Sequence, residues 1–272
     1  VDEFEIEHVD GIGTKGLYHW KKRTFKKAVL DALAMNLNDL ALERAVPYKL
    51  TNHISIQQED KEAILQIIEV LSEECKERKI AITGGETSIH NNMQGLDISL
   101  TISGFIKNKK PNQAQVGDII IGIPSSGLHS NGFTKTREVF GDEFREDFVK
   151  PTKIYLDDIL DLNDKYNIHG MMHITGGAYT KLRDIIRDAD ITINKNHNLH
   201  PQQIFQELYQ KGISDEEMYK TFNCGIGFIL SVSPKDADKI IKEIDASIIG
   251  KVTNGAGKIK IESMFSDKQI EF

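Results

Sequence analysis

Residues 117–133 read GDIIIGIPSSGLHSNGF, and this stretch decides the architecture of the second half of the chain. Its apolar run 118–123 does not alternate with polar residues and is too short for a helix, as expected of a strand buried on both faces. A Pro-Ser-Ser-Gly turn follows, and then a helix pattern. Further strand patterns at 171–174, 226–232 and 248–252 alternate with helix patterns at 152–162, 178–187, 201–211 and 234–244. That order predicts an α/β domain.

Upstream, KNKKPNQAQ (107–115) is polar and contains a proline, so it reads as a linker. It divides the chain into residues 1–110 and 111–272. The first part shows a strand at 5–10, a helix at 26–45 that places Val29, Ala32, Leu33, Leu37, Leu40 and Ala41 on one stripe, and a strand at 50–57. A second helix spans 60–79, and a short strand 80–83 runs into Gly84-Gly85. Leu96, Ile98, Leu100 and Ile102 then alternate with Asp97, Ser99, Thr101 and Ser103, the mark of a strand with one buried and one polar face. An α+β first domain follows, and a cleft beside it is the expected place for a site.

The 272 residues are 39% hydrophobic and 28% charged, an ordinary globular composition. A net charge of −7 and a pI near 5.8 argue against nucleic acid as a partner. The patch Lys21, Lys22, Arg23, Lys26 and Lys27 reads as a solvated helix face or as a phosphate-attracting rim. No apolar run approaches the ~20 residues of a bilayer span, and VDEFEIEHVD lacks the features of a secretory signal, so no membrane association and a cytoplasmic location are expected. Cys75 and Cys224 stand apart without a metal-binding pattern. Because the first residue is Val1, further residues are expected upstream.

DGIGTK (10–15) follows a strand. Gly11 and Gly13 permit a tight turn and close backbone approach, while Asp10, Thr14 and Lys15 bring a carboxylate, a hydroxyl and an ammonium, which suits a metal-bound phosphate; a plain turn is the alternative. Asp39 lies in Asn-Leu-Asn-Asp-Leu, a run of poor helix propensity inside a helix, and reads as a solvent-facing or a functional carboxylate. Glu86 follows two glycines at a strand end. Together Asp10, Asp39 and Glu86 would form an oxygen site for Mg²⁺.

In the second half, Ser125, His129, Ser130 and Asn131 stand where a buried strand leads into a helix, a cradle for an anion or a polar amide, or else a helix cap with an incidental histidine. His173, Thr175 and Gly176 repeat the arrangement, and two such edges side by side predict one pocket. Cys224, with no local base, reads as structural.

DGIGTK (10–15), NDL (38–40), GGET (84–87), GDIIIGIPSSGLHSNGF (117–133), PTKIY (151–155), HITGG (173–177), EEMYKTFNCGIGF (216–228) and IIGKV (248–252), in this order, resemble the phosphoribosylformylglycinamidine cyclo-ligase family. The resemblance implies a PurM-like architecture in which an α+β N-terminal domain (1–110) forms half of a dimeric β-barrel and is followed by an α/β C-terminal domain (111–272). It implies a homodimer and ATP-dependent closure of an imidazole ring on formylglycinamidine ribonucleotide, with Mg²⁺ accompanying ATP. The expected roles are Mg²⁺–ATP at Asp10, Asp39 and Glu86, and phosphate at Gly11, Gly13, Thr14 and Lys15. Ser125, Ser130, Asn131, Thr175 and Gly176 are expected to hold substrate, and His129 or His173 to move the proton, with His129 favoured. Two departures stand out: GGETSIHNN diverges from the family after its threonine, and ALERAVPYKLTNHISIQ (41–57) lacks the family's small, glycine-rich character. The alternatives are another ATP-dependent enzyme of the superfamily, such as a thiamine-phosphate kinase or a formylglycinamidine synthetase-like protein, and a non-catalytic nucleotide-binding paralogue.

Overall fold

The computed structural model describes residues 4–106 and 109–272, so the first two residues of the expected linker lie outside the described residues. The chain divides into two compact units. One holds the described residues up to Lys109 together with Phe140–Leu156, and the other holds Lys110–Val139 with Asp157–Phe272.

The first unit is built on β1 (Phe4–Gly11), β2 (Ala45–Ile56), β3 (Ala81–Ile89) and β4 (Leu96–Ile106), in the sheet order β1-β4-β2-β3. Helix α1 (Gly16–Lys22) follows the DGIGTK turn. Helix α2 (Phe25–Leu42) packs on β1, β4 and β2, and α3 (Lys61–Glu77) on β3 and α2. Val29, Leu33, Leu37 and Leu40 of α2 are wholly buried. Each contributes roughly 1.5–3 kcal/mol by leaving water. Asp60 caps α3 by accepting from the Ala63 N–H at 2.9 Å, and Ala63, Ile67, Leu71 and Cys75 bury one stripe of it.

Two boundaries differ from expectation. Helix α2 ends at Leu42, because Arg44 turns the chain left-handed (φ 59°) and its N–H reaches the Ala41 carbonyl at 3.0 Å. Strand β2 therefore begins at Ala45 and runs through Pro47. The proline is tolerated because β3 pairs with β2 only from Lys49 onward, and the register to β4 shifts between Pro47 and Lys49. The second difference is β3, which continues through Gly84-Gly85 to Ile89 in parallel pairing with β2. A Cβ on Gly85 would fall 2.5 Å from the end of the Asn52 side chain, which would have to move aside to make room for it.

The second unit carries a seven-stranded sheet ordered β11-β10-β7-β9-β5-β8-β6, from β5 (Ile119–Pro124), β6 (Ile168–His173), β7 (Ala189–Ile193), β8 (Ile226–Val232), β9 (Ser247–Asn254), β10 (Ile259–Glu262) and β11 (Gln269–Glu271). Every residue of β8 is buried, as a strand covered on both faces requires. Pairing is antiparallel throughout except between β7 and β10. Helices α4 (Phe133–Phe140), α5 (Leu156–Lys165), α6 (Gln203–Gln210), α7 (Asp215–Thr221) and α8 (Pro234–Glu243) complete the chain. The helix expected at 178–187 is a run of 3₁₀ turns, Ala178–Ile185, whose buried Tyr179, Leu182 and Ile185 recur every third residue. Its entry is set by left-handed Gly177 and Ala178 (φ 80° and 42°).

Candidate active site

In the first unit the DGIGTK turn leaves β1 where α2 crosses it. The Gly11 N–H bonds the Asp10 carboxylate at 2.7 Å, and Gly13 takes φ 54°, left-handed backbone that favours glycine. Gly13 and Thr14 are exposed. On the α2 side, the two His8 nitrogens meet Asp39 (3.0 Å) and Asn36 (3.1 Å), and Asn36 also donates to the Asp10 carbonyl at 3.1 Å. The hydrogen bond to Asp39 raises the His8 imidazole above its ordinary value against the opposing effect of burial, and the Asp10 charge adds to the rise. Asp10 and Asp39 thus flank one imidazole.

Glu86 stands elsewhere. Cross-strand pairing puts it in the row Gly11–Ser99–His53–Glu86, three strand spacings from β1, or roughly 14 Å. Asp10 belongs to the next row, Asp10–Leu100–Asn52–Gly85. Adjacent rows point to opposite faces of a sheet, and His8, in register with the Asp10 row, points to α2. Glu86 therefore faces away from Asp10 and Asp39, beside His53, whose Nε2 lies 2.8 Å from the Ser88 hydroxyl. The expected three-carboxylate site is not assembled. Among the described residues no three His, Cys, Asp or Glu side chains converge closely enough to hold a metal ion. The donor set that fits Mg²⁺ is the pair Asp10 and Asp39, since this ion commonly takes one or two carboxylates and completes its shell with substrate phosphates and water.

Lys15 requires a second correction. It is fully buried, and its ammonium bonds Asp31 Oδ1 at 2.8 Å and the Lys150 carbonyl at 2.6 Å. Asp31 Oδ1 also accepts from the Thr152 N–H (2.7 Å) and hydroxyl (2.6 Å), while Oδ2 meets His19 Nε2 at 2.8 Å. Burial opposes ionisation of Asp31, but the Lys15 charge and the His19 hydrogen bond outweigh it and hold the carboxyl at about 2. The ammonium expected at a phosphate is committed inside the unit.

In the second unit β5 and β6 both run antiparallel to β8, so their C-terminal ends meet at its N-terminal end. Three loops converge there: 125–132, 174–177 and 222–225. The expected residues of the first two stand side by side. Asn131 Nδ2 donates to the Thr175 hydroxyl, a Cβ on Gly176 would lie 3.3 Å from Asn131 Oδ1, and the His129 and His173 ring centroids are 6.3 Å apart. Ser125, His129, His173 and Thr175 are buried, whereas Ser130 and Asn131 are half-buried. His129 Nε2 accepts the Ser126 N–H at 3.2 Å, which puts the proton of the neutral ring on Nδ1.

The third loop supplies residues that sequence reasoning missed. Asn223 donates to the Gly127 carbonyl at 2.7 Å and accepts the Gly225 N–H at 2.9 Å, and the Tyr179 hydroxyl donates to the Asn223 carbonyl at 2.9 Å. Gln202 donates to the Ser125 carbonyl at 2.9 Å. The only signal for Asn223 was its place before Cys-Gly, and Gln202 left none. Cys224 beside it is buried, its thiol pushed well up by desolvation, as suits a structural residue.

Residues 6–106 match the family "AIR synthase related protein, N-terminal domain", and residues 115–262 match "AIR synthase related protein, C-terminal domain". A phosphoribosylformylglycinamidine cyclo-ligase of Methanococcus maripaludis (strain C6) is 33% identical over 97% of this chain and 82% of its own. One from Saccharolobus solfataricus is 34% identical over 92% and 79%. Among solved structures, Escherichia coli HypE superposes with a TM-score of 0.76 at 16% identity (99% of this chain, 85% of that one). Thiamine monophosphate kinase from Aquifex aeolicus superposes at 0.70 and 16% (98% and 89%). These structural likenesses speak for the fold, and the sequence likenesses for the family. The chain belongs to the phosphoribosylformylglycinamidine cyclo-ligase family of AIR synthase related proteins.

Proposed function

We propose that this protein converts formylglycinamidine ribonucleotide and ATP into 5-aminoimidazole ribonucleotide, ADP and phosphate, a ring-closing step of purine synthesis. The observation that carries this reading is likeness along almost the entire chain to relatives of that name, at 33% identity over 97% of the residues. ATP as co-substrate is supported by the family and by the solved HypE, of the same fold, in complex with ATP.

The amide oxygen of the substrate is a poor leaving group until it accepts the γ-phosphoryl group of ATP. A nitrogen on the amidine side then attacks the activated carbon, the ring closes and phosphate departs. Mg²⁺, held by Asp10 and Asp39, would neutralise phosphate charge. Gly13 and Thr14 would offer backbone N–H groups and a hydroxyl to the phosphates, and Gly11, which has no side chain, would let them approach the backbone closely. Ser125, Ser130, Asn131, Thr175 and Gly176 would hold the substrate. Positioning contributes most, because fixing both ends of an intramolecular attack can remove about 7–11 kcal/mol of barrier. His129 is the preferred carrier of the mobile proton, with His173 beside it.

A homodimer is part of the proposal. The sheet face of the first unit opposite α2 exposes Val9 (68%) and Val46 (46%), apolar surface that a second copy would cover. A cytoplasmic location accords with two free, buried cysteines, and no described helix is long and apolar enough to cross a membrane.

The deciding experiment is ADP release with Mg²⁺–ATP, with and without formylglycinamidine ribonucleotide. Substrate-dependent ADP accompanied by the aminoimidazole product is expected. ATP binding without turnover would overturn the reading in favour of a non-catalytic paralogue.

A further inference from the structure

The motif PTKIY (151–155) is held with more care than its place in a loop calls for. Thr152 gives both its N–H and its hydroxyl to the buried Asp31 carboxylate. One residue on, Asn38 Nδ2 donates to the Lys153 carbonyl at 2.9 Å, and Asn38 Oδ1 accepts the Tyr155 N–H at 2.7 Å. Asp31 and Asn38 are wholly buried and seven residues apart, so two turns of α2 present both to the segment. Burying an aspartate and an asparagine beside four residues of a loop is costly unless their polar atoms are satisfied, and here the segment satisfies them together with Lys15 and His19.

The side chain in the middle of this clamp is left out of it. Lys153 is half-buried, its ammonium lies 5.2 Å from the Tyr155 ring centroid, and among the described residues it makes no ion pair. The backbone is fixed on both sides of a cation that meets no carboxylate, in a chain with 41 acidic and 34 basic residues. Its level along α2 is set by Asn38. The next residue is Asp39, one step of about 100° around the helix axis, where the phosphate-bound metal is placed under the proposed function.

We propose that Lys153 supplies the positive charge that meets the polyphosphate of ATP, the part that Lys15 is too deeply committed to play. This rests on the nucleotide site being at Asp10 and Asp39. Lysine serves such a role as a point charge on a flexible stem, and the Tyr155 ring gives its ammonium a resting place between ligands.

The test is equilibrium binding of ATP, ADP and AMP, each with Mg²⁺, to the full chain and to Lys153→Met and Lys153→Arg, with folding checked by thermal melting. The Met variant should lose about tenfold in ATP affinity, the size of one charge-assisted hydrogen bond. It should lose less for ADP and almost nothing for AMP, and the Arg variant should recover most of the loss. Unchanged ATP affinity in Lys153→Met would overturn the inference, and so would an equal loss for ATP and AMP, which would mark a merely structural residue. A parent chain that binds none of the three nucleotides would overturn the ATP reading along with it, so the two failures are told apart by the parent's own titration.

Discussion

Replacing Lys15 by methionine separates the two roles this residue could have. If the ammonium faced phosphate, Lys15→Met would weaken nucleotide binding and leave stability nearly alone. The structure predicts the opposite. The carboxylate of Asp31 would stay buried with its strongest partner gone, and breaking a buried pair from one side costs about 3–5 kcal/mol. Urea unfolding at pH 7 and fixed protein concentration reads this as a lower midpoint. A midpoint shift equivalent to less than about 1 kcal/mol, together with a large loss of ATP affinity, would refute the buried role.

The pH dependence tests the same argument independently. Holding the Asp31 carboxyl at about 2 instead of 3.8 contributes about 2 kcal/mol. Because the folded value is the lower one, that contribution is fully present above pH 4 and is lost as the pH falls from about 4 towards 2. In Lys15→Met the opposing effect of burial is no longer outweighed, so the carboxyl should ionise less readily when folded and the variant should lose less than the parent on acidification. The stability gap between parent and variant should therefore narrow as the pH falls from about 4 towards 2. A constant gap would mean that Asp31 does not owe its low value to Lys15.

Asp39→Asn should abolish ATP turnover while leaving the melting temperature close to that of the parent, and retained turnover would remove Asp39 from the metal site. His129→Ala should reduce turnover at saturating ATP while ATP affinity changes less than twofold; an unchanged rate would move proton transfer to His173 or to solvent. Asn223→Ala removes the donor to the Gly127 carbonyl and the acceptor for the Gly225 N–H, and it should cost roughly 1–3 kcal/mol and raise the KM for the ribonucleotide by a larger factor than the KM for ATP. Equal effects on both KM values would argue against a role in shaping the 125–132 loop.

Much of the fold was legible because periodicity survives in single elements. The alternation over 96–103 and the stripe Ala63, Ile67, Leu71, Cys75 are local facts, and the structure keeps both. What local reading could not supply was a partner for each polar atom. Lys15 resembles a phosphate ligand as long as Asp31, sixteen residues on, and Thr152, well over a hundred residues on, are invisible to it. Arg44 was missed as a helix terminator because its left-handed turn is made without glycine, and the 3₁₀ run after Gly177 because apolar residues every third position imitate a helical stripe over so short a span.

The displaced Glu86 shows how a site can be misassembled from correct motifs. Asp10 and Glu86 both belong to strand-end motifs, and a sequence gives no reason to keep them apart. The pleat does. With a period of two, a shift of one row moves a side chain to the opposite face, and Glu86 pairs through His53 and Ser99 to Gly11 instead of Asp10. The same rule makes Gly11 informative, because a Cβ there would sit 2.8 Å from the Ser99 hydroxyl and 3.2 Å from Asp97 Oδ1. The DGIGTK strand thus presents its carboxylate to α2 and its bare backbone to the face that carries Glu86. A catalytic contribution from Glu86 would have to come from that second face, so Glu86→Gln should leave the His8–Asp39 pair intact. The His8 imidazole resonance, titrated by NMR, should keep its raised value in Glu86→Gln and fall in Asp39→Asn. A fall in both would place Glu86 beside Asp39 after all and undo the two-face assignment.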